Sequence, residues 1–458
     1  MPTASPATPL SSLQTPLQCV ADRRVAAPSA GSAITRRAAL AAIAAAATLP
    51  ALSRRAAARE IDPATEWPQW RGPTGDNHAA AGASVPDAIT EDRIAWRVKL
   101  PGRGHSTPVV VGDGLYLTTA DKAAGKQSVL AVTTDGTVKW GKHIHIGSLP
   151  TQNHAKNTEA SPSIASDGES LFVSFFNDAS IQLSKLTLDG EVAWTKTAGP
   201  YRPDQYQYGY AASPTLYHDG DRTLVIVVGD YDGGGSFLKA LDAADGSEVW
   251  AVDRPGRITF SSPIVANCGG RDRLLLSGGD QVACHDPVTG ETLWTNRDAT
   301  TMATCGTMVW TDDRVYASGG YPKAQTVCLD AADGSLVWDN SVKCYEQSML
   351  AVGDHVYAIA DGGLAFCWDA ATGKAAWRER LGGNFSSSPI LVGDAIHIFD
   401  ESGQGYCFTA TPDRFDLRSK HRIADEVFAS PVVVGNTMYL RVADREGGVR
   451  QESLLAIK

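Results

Sequence analysis

The sequence predicts an all-β fold, an eight-bladed β-propeller of four-stranded antiparallel blades closed by pairing the N-terminal strand with the C-terminal blade. Three observations predict it. Tryptophans recur at Trp96, Trp140, Trp194, Trp250, Trp294, Trp338 and Trp377, at intervals of 39 to 56 residues, a period that marks blade repeats. A glycine stands four residues ahead of six of them, in segments such as TTDGTVKW, AADGSEVW and AADGSLVW. Between these segments an apolar-alternating run, a Gly/Asp/Asn turn and a second β-rich run recur eight times, from HSTPVVVGDGLYL to FASPVVVGNTMYL.

Asp-Gly or Thr-Gly supplies the positive φ of a tight hairpin turn, so each glycine–tryptophan segment reads as a hairpin into an outer strand whose aromatic packs between neighbouring sheets. The recurring inner unit reads as a two-stranded meander, and the two together give four strands. Unit seven keeps the register without tryptophan, since TATPDRFDL places Leu417 where Trp377 stands. Unit eight ends after three strands at Lys458, while the segment 93–98 (RIAWRV) is an outer strand without inner partners. The two ends therefore complete one blade together, which pairs both exposed edges.

Proline occupies one place in six inner runs, Pro108, Pro162, Pro214, Pro263, Pro389 and Pro431, with Met308 and Met349 in the other two. Proline is confined to sheet edges, so this is the innermost strand, facing the central channel. The residue before it is always a hydroxyl: Thr107, Ser161, Ser213, Ser262, Thr307, Ser348, Ser388 and Ser430. Small hydroxyls fit a crowded axis and satisfy local backbone groups, a structural role preferred here over an active device.

Ahead of the propeller at 93–458 lie two further segments. Residues 1–57 read as an export signal of twin-arginine type: Arg36-Arg37 precedes an Ala-rich run to Leu52, and Ala56-Ala57-Ala58 offers a small-residue cleavage region. An ordinary signal peptide with a chance Arg pair is the alternative. Residues 58–92 form an N-terminal arm whose Trp67–Gly82 stretch either caps one propeller face or stays mobile. A membrane span needs about 20 strongly apolar residues; the alanine run is too short, and nothing later qualifies. The expected location is the periplasm or cell envelope. The formal charge of −10 argues against a nucleic-acid partner, which needs a basic surface. Of eight cysteines, seven lie beyond the signal, an odd number that suits a fully paired disulfide framework poorly.

The SP-initiated inner strands and the ALDAADGSxVW-type outer hairpins resemble the pyrroloquinoline-quinone-like (PQQ-like) repeat propellers over 93–458. The entry segment Trp67-Pro68-Gln69-Trp70-Arg71-Gly72-Pro73 and the stretch Ser236–Asp242 resemble exported bacterial members of planctomycete type. The resemblance implies either a quinoprotein dehydrogenase or a cofactor-free scaffold related to outer-membrane assembly factors. For a dehydrogenase it implies a vicinal Cys-Cys bridge, a Ca²⁺-holding acidic and amide set, and often a CxxCH haem motif. The sequence has neither adjacent cysteines nor CxxCH.

Strand alternation places His105, Glu159, Ala211, Phe260, Cys305, Glu346, Ser386 and Phe428 on the channel side, two residues before the hydroxyl row. Propeller ligands gather at the channel mouth, so His105, Glu159 and Glu346 are the candidate ligand contacts; the plainer reading is a wet channel lined with polar groups. Two long insertions, 143–156 and 197–210, enter inner strands from one face. In the second, Arg202 with Tyr206, Tyr208 and Tyr210 suits a protein interface or a sugar-like ligand, with packing over the rim of blade two as the alternative. His143, His145 and His154 lack defined ligand spacing, Asp230–Gly235 lacks the later acidic ligands of a Ca²⁺ loop, and Cys284, Cys328, Cys367 and Cys407 read as small buried hydrophobes at one repeat position. No metal site is assigned. The function read from all this is a binding or assembly scaffold without cofactor or catalysis, engaging a protein partner or small ligand at one face. The alternative is a PQQ-dependent oxidoreductase of the alcohol or sugar dehydrogenase type, holding quinone with Ca²⁺ near Glu159 or Glu346.

Overall fold

The computed structural model describes residues 59–458 apart from Met302, so the twin-arginine segment lies outside the described residues. Eight antiparallel sheets of four strands each follow one another along the chain. Blade one shows the pattern: Val109–Val111 innermost, then Gly114–Asp121, Lys126–Thr133 and Val138–Ile146 outermost. The last blade joins the chain's two ends, with Ile94–Leu100 pairing Val449–Ile457 so that Trp96 faces Ala456. All-β architecture, blade number and closure are as the sequence predicts.

The glycine–tryptophan spacing has a physical cause that crosses from blade to blade. Six of the seven tryptophan rings, all but Trp377, lie under the turn glycine of the next blade: a methyl on Gly373 would stand 2.6 Å from Trp338 Cδ2, and one on Gly290 2.6 Å from Trp250 Cε3. Both glycines hold positive φ, +68° and +75°. The indole N–H then donates to a carbonyl of the same turn, as from Trp294 to Ala331 (3.0 Å) and from Trp338 to Ala370 (2.9 Å). Trp194 departs from the rule. The Lys185 ammonium takes the Ala243 carbonyl at 3.0 Å, and the Trp194 indole N–H is left without a partner. Cys284, Cys328, Cys367 and Cys407 are buried free thiols on the third strands, which suits their reading as small hydrophobes.

Blade two differs from expectation by two residues. The hydrogen-bonded ring of inner-strand hydroxyls passes through Ser163, not Ser161: Thr107 N–H donates to Ser163 Oγ (3.0 Å) and Ser163 N–H to Ser213 Oγ (2.9 Å). Ser161 lies in the preceding loop, bonded to Asn157. The same backbone-to-hydroxyl link joins Ser213 to Ser262, Thr307 to Ser348, Ser348 to Ser388 and Ser388 to Ser430, at 2.8–2.9 Å. The hydroxyl row is thus an inter-blade latch about the axis.

The arm is ordered and plugs one end of the channel, touching every blade. Trp67 bridges Val110, Ser166 N–H donates to the Pro68 carbonyl (2.8 Å), and Leu216 N–H donates to Gln69 Oε1 (3.2 Å). Gly75 packs against Ile264. The Trp70 indole donates to Thr307 Oγ1 (2.8 Å), Arg71 to the Met349 carbonyl (3.1 Å) and Asn77 Nδ2 to the Pro389 carbonyl. Ser84 N–H reaches the Gly435 carbonyl at 3.2 Å. Arg71 is fully buried, and burial draws its guanidinium down to about 10; its Nε and Nη2 donate to three carbonyl oxygens, while Nη1 is buried without a partner.

Candidate functional site

Above the Trp70 floor the channel holds a cavity of about 210 Å³ lined by both inner rows and by the insertions at its mouth. The channel-facing row is His105, Ser161, Ala211, Phe260, Cys305, Glu346, Ser386 and Phe428. Seven of these eight are the residues expected from strand alternation. The exception is Glu159, displaced by the two-residue shift in blade two. Its carboxylate is largely buried and pairs with Lys122 at 2.9 Å, away from the cavity wall.

His105 stacks on Phe428 with ring centroids 4.5 Å apart and planes within 4°. Burial, reinforced by Arg103 and Arg441, pushes the imidazole well below its usual range, so the ring is neutral and its Nε2 is buried without a partner. Glu346 sits across the mouth in a compact cluster. The Lys156 ammonium, carried there by the 143–156 insertion, lies 3.2 Å from Glu346 and 2.7 Å from Glu401. The Ser386 hydroxyl reaches both carboxylates. Burial disfavours the charge on Lys156, but the two carboxylates outweigh it and raise its pKa. One lysine therefore bridges the acidic pair, offsetting one of its two negative charges, and straps the insertion to blades six and seven.

The 197–210 insertion carries no strand beyond Pro200, so its tyrosines do not alternate across a sheet. Tyr208 is exposed at 43%, forms an edge contact with His154 (5.1 Å) and another with Tyr206 (5.8 Å), and borders the cavity. Arg202, in the same insertion, is exposed. Tyr210 is a correction: it is buried, its hydroxyl donates to the Val228 carbonyl (2.9 Å), and its ring packs on Tyr201. The histidines of the first insertion disperse, with His143 on Ser128 (2.9 Å), His145 edge-on to Phe175 and His154 at the mouth. Asp230 serves no ion loop. Its carboxylate is wholly buried against Arg254 at 2.7 Å.

Glu401, Lys156 and Trp70 were not among the expected site residues. Glu401 follows the second strand of blade seven and Trp70 comes from the arm, so neither lies on an inner strand whose alternation could reveal it.

With this geometry in place, the likeness to known proteins is informative. The family described as outer membrane protein assembly factor BamB matches residues 67–200, 125–323, 234–358 and 323–451 in overlapping stretches. The chain belongs to this BamB-type family of PQQ-like repeat propellers. Among BamB-type relatives, the assembly factor of Burkholderia pseudomallei is 26% identical over 365 residues, 76% of this chain and 84% of the relative. That of Bordetella pertussis is 22% identical over 342 residues, 71% and 78% of the two chains. Solved structures give the same fold. BamB from Moraxella catarrhalis superposes with a TM-score of 0.54 at 16% identity, covering 80% of this chain and all of that one. A europium-containing methanol dehydrogenase superposes at 0.64 and 13% identity, covering 85% and 91%.

Proposed function

We propose that this chain is an exported, periplasmic or envelope-located scaffold without catalytic activity, which binds a protein partner or small ligand at the face bearing the 143–156 and 197–210 insertions. The observation that carries the reading is the mouth of the channel. Glu346 and Glu401, the carboxylates nearest a would-be cofactor, are both bonded to Lys156 and Ser386, so an ammonium occupies the place between them that a divalent ion would need and offsets one of their two charges. The donor set is an ammonium between two carboxylates rather than the all-oxygen cage that Ca²⁺ takes. The cavity of about 210 Å³ also falls below the roughly 300–1,000 Å³ of sites for drug-sized ligands. The residues present do not fit PQQ with Ca²⁺. The relatives are outer membrane protein assembly factors, which supports a protein partner here. Among the described residues no helix is long and apolar enough to cross a membrane.

The competing reading, a quinone-dependent oxidoreductase, draws on the dehydrogenase fold neighbours and on a cavity at the channel axis. Site-specific photocrosslinking in cells tests the scaffold. A photoreactive residue replacing Tyr208 is expected to give a discrete protein adduct, whereas one replacing Val449, 70% exposed on blade eight, gives none. Equal labelling at both positions, or none at Tyr208, overturns the assignment of that face.

A further inference from the structure

Away from the channel, where the arm passes blade seven, three side chains from three parts of the chain converge. His397 belongs to Ala395–Phe399 and Cys407 to the neighbouring Gln404–Thr409, and the two are direct cross-strand partners. Asp87 comes from the arm. Cys407 Sγ lies 3.7 Å from His397 Nε2 and 3.4 Å from Asp87 Oδ1, and all three ligand atoms fall within 4.8 Å of one another. A tetrahedral zinc with a thiolate at about 2.3 Å and nitrogen or oxygen ligands at about 2.0–2.2 Å needs ligand–ligand edges of roughly 3.3–3.7 Å. The two spacings from the Cys407 sulfur match those edges, and the third, between Asp87 and His397, is within 4.8 Å.

The repeat makes this grouping specific to blade seven. At the register position of His397 the flanking blades carry tyrosine: Tyr316 opposite Cys328, Tyr357 opposite Cys367 and Tyr439 opposite Ala456. Tyr316 uses its hydroxyl to reach the Ala370 carbonyl of the next blade at 3.1 Å. Blade seven replaces that phenol with an imidazole and adds a carboxylate from outside the repeat. The arm is fixed at the same spot by Ser419 Oγ donating to the Asp87 carbonyl and Ile89 N–H donating to His421 Nε2 (3.1 Å). Arg418, the cation nearest Asp87 at 3.6 Å, is engaged with Asp394 (2.6 Å) and Thr409 (2.9 Å). Cys407 and His397 are buried, whereas the Asp87 side chain is half exposed, which gives an ion a way in and leaves the fourth position to water.

We propose that Asp87, His397 and Cys407 form a site for one zinc-class divalent ion that staples the N-terminal arm to blade seven. Binding replaces the thiol proton with the metal and releases that proton to solvent.

Titration of the folded protein with Co²⁺, followed by displacement with Zn²⁺, tests the site. The expected result is one equivalent of Co²⁺ with a thiolate charge-transfer band, displaced by Zn²⁺, and a Zn²⁺-dependent rise in Tm. Cys407→Ser is expected to lose the band, and His397→Gln and Asp87→Asn to bind at least about tenfold more weakly. Asp87 is a half-exposed arm residue, so Asp87→Asn reports on affinity even if substitutions in the buried strands impair folding. Absence of a thiolate band in the wild type, or unchanged binding in Asp87→Asn, reduces the cluster to a hydrogen-bonded thiol and overturns the proposal.

Discussion

Replacing Gly373 with alanine probes the contact that sets blade against blade. Two effects add. The residue holds φ at +68°, where a Cβ costs about 1–2 kcal/mol, and the new methyl lands 2.6 Å from Trp338 Cδ2 and 2.8 Å from Cε3, an overpacking worth about 1–3 kcal/mol. Gly-to-Ala substitution returns about 0.4–1 kcal/mol by stiffening the unfolded chain, which leaves a net loss of about 2–4 kcal/mol. Gly353 in the same blade is the matched control. Its φ is +55° and a methyl there meets nothing within 4 Å, so Gly353→Ala carries the backbone cost alone, about 1 kcal/mol. With an unfolding entropy near 2.1 cal/mol/K per residue over about 400 residues, the expected Tm losses are about 2–5 °C for Gly373→Ala and about 1 °C for the control. Differential scanning calorimetry measures both. Equal losses would refute the claim that tryptophan docking requires glycine at this position.

Three further perturbations have defined outcomes. Arg441 bonds Glu452 (2.7 Å), Ser106 Oγ (3.1 Å) and the Thr118 carbonyl (2.7 Å), tying the closing blade to blade one, so Arg441→Met should cost about 3–5 kcal/mol; thermal unfolding checks this, and an unchanged Tm contradicts it. Trp70→Ala removes the cavity floor and its bond to Thr307 and should cost about 2–4 kcal/mol, read as a lower Tm together with faster proteolysis of the arm. Burial, then Arg254, holds His285 down to about 4, so the folded state refuses a proton that the unfolded state takes near pH 6.5. The stability from this group is complete above about pH 6.5 and is lost as pH falls through 4, by about 3 kcal/mol in all. His285→Gln should therefore flatten the decline in Tm between pH 7 and pH 4.5, and an unaltered slope would rule out this source.

The architecture was legible because each blade writes its own register. The turn glycine, the tryptophan four residues later and the inner-strand proline all answer to contacts repeated around the ring, and the fused end blade follows from counting strands. Blade two misled because Ser161-Pro162-Ser163 offers two serines beside one proline. The turn decides between them: Gly168 lies five residues beyond Ser163, as Gly112 does beyond Thr107 and Gly435 beyond Ser430, and counting back from the glycine selects the residue that joins the latch. That one shift removed Glu159 from the cavity wall. The arm was illegible for a different reason. Trp67–His78 has no periodicity because its hydrogen bonds go singly to successive blades. Lys156 and Glu401 meet only through the ring's curvature, which no spacing along the chain records. Tyr210 read as a surface residue because a tyrosine beside other tyrosines on an insertion looks alike whether it faces solvent or packs on Tyr201.

The central claim, that the channel mouth is satisfied from within and serves no quinone, is tested most directly by calorimetric titration of the folded protein with pyrroloquinoline quinone, with and without Ca²⁺, on the wild type, Glu346→Ala and Glu159→Ala. The account predicts no binding heat in any of them. Tight Ca²⁺-dependent binding to the wild type that falls about tenfold or more in Glu346→Ala, a loss of about 1.4 kcal/mol, while Glu159→Ala binds as the wild type does, would contradict it and identify the cavity as a cofactor site.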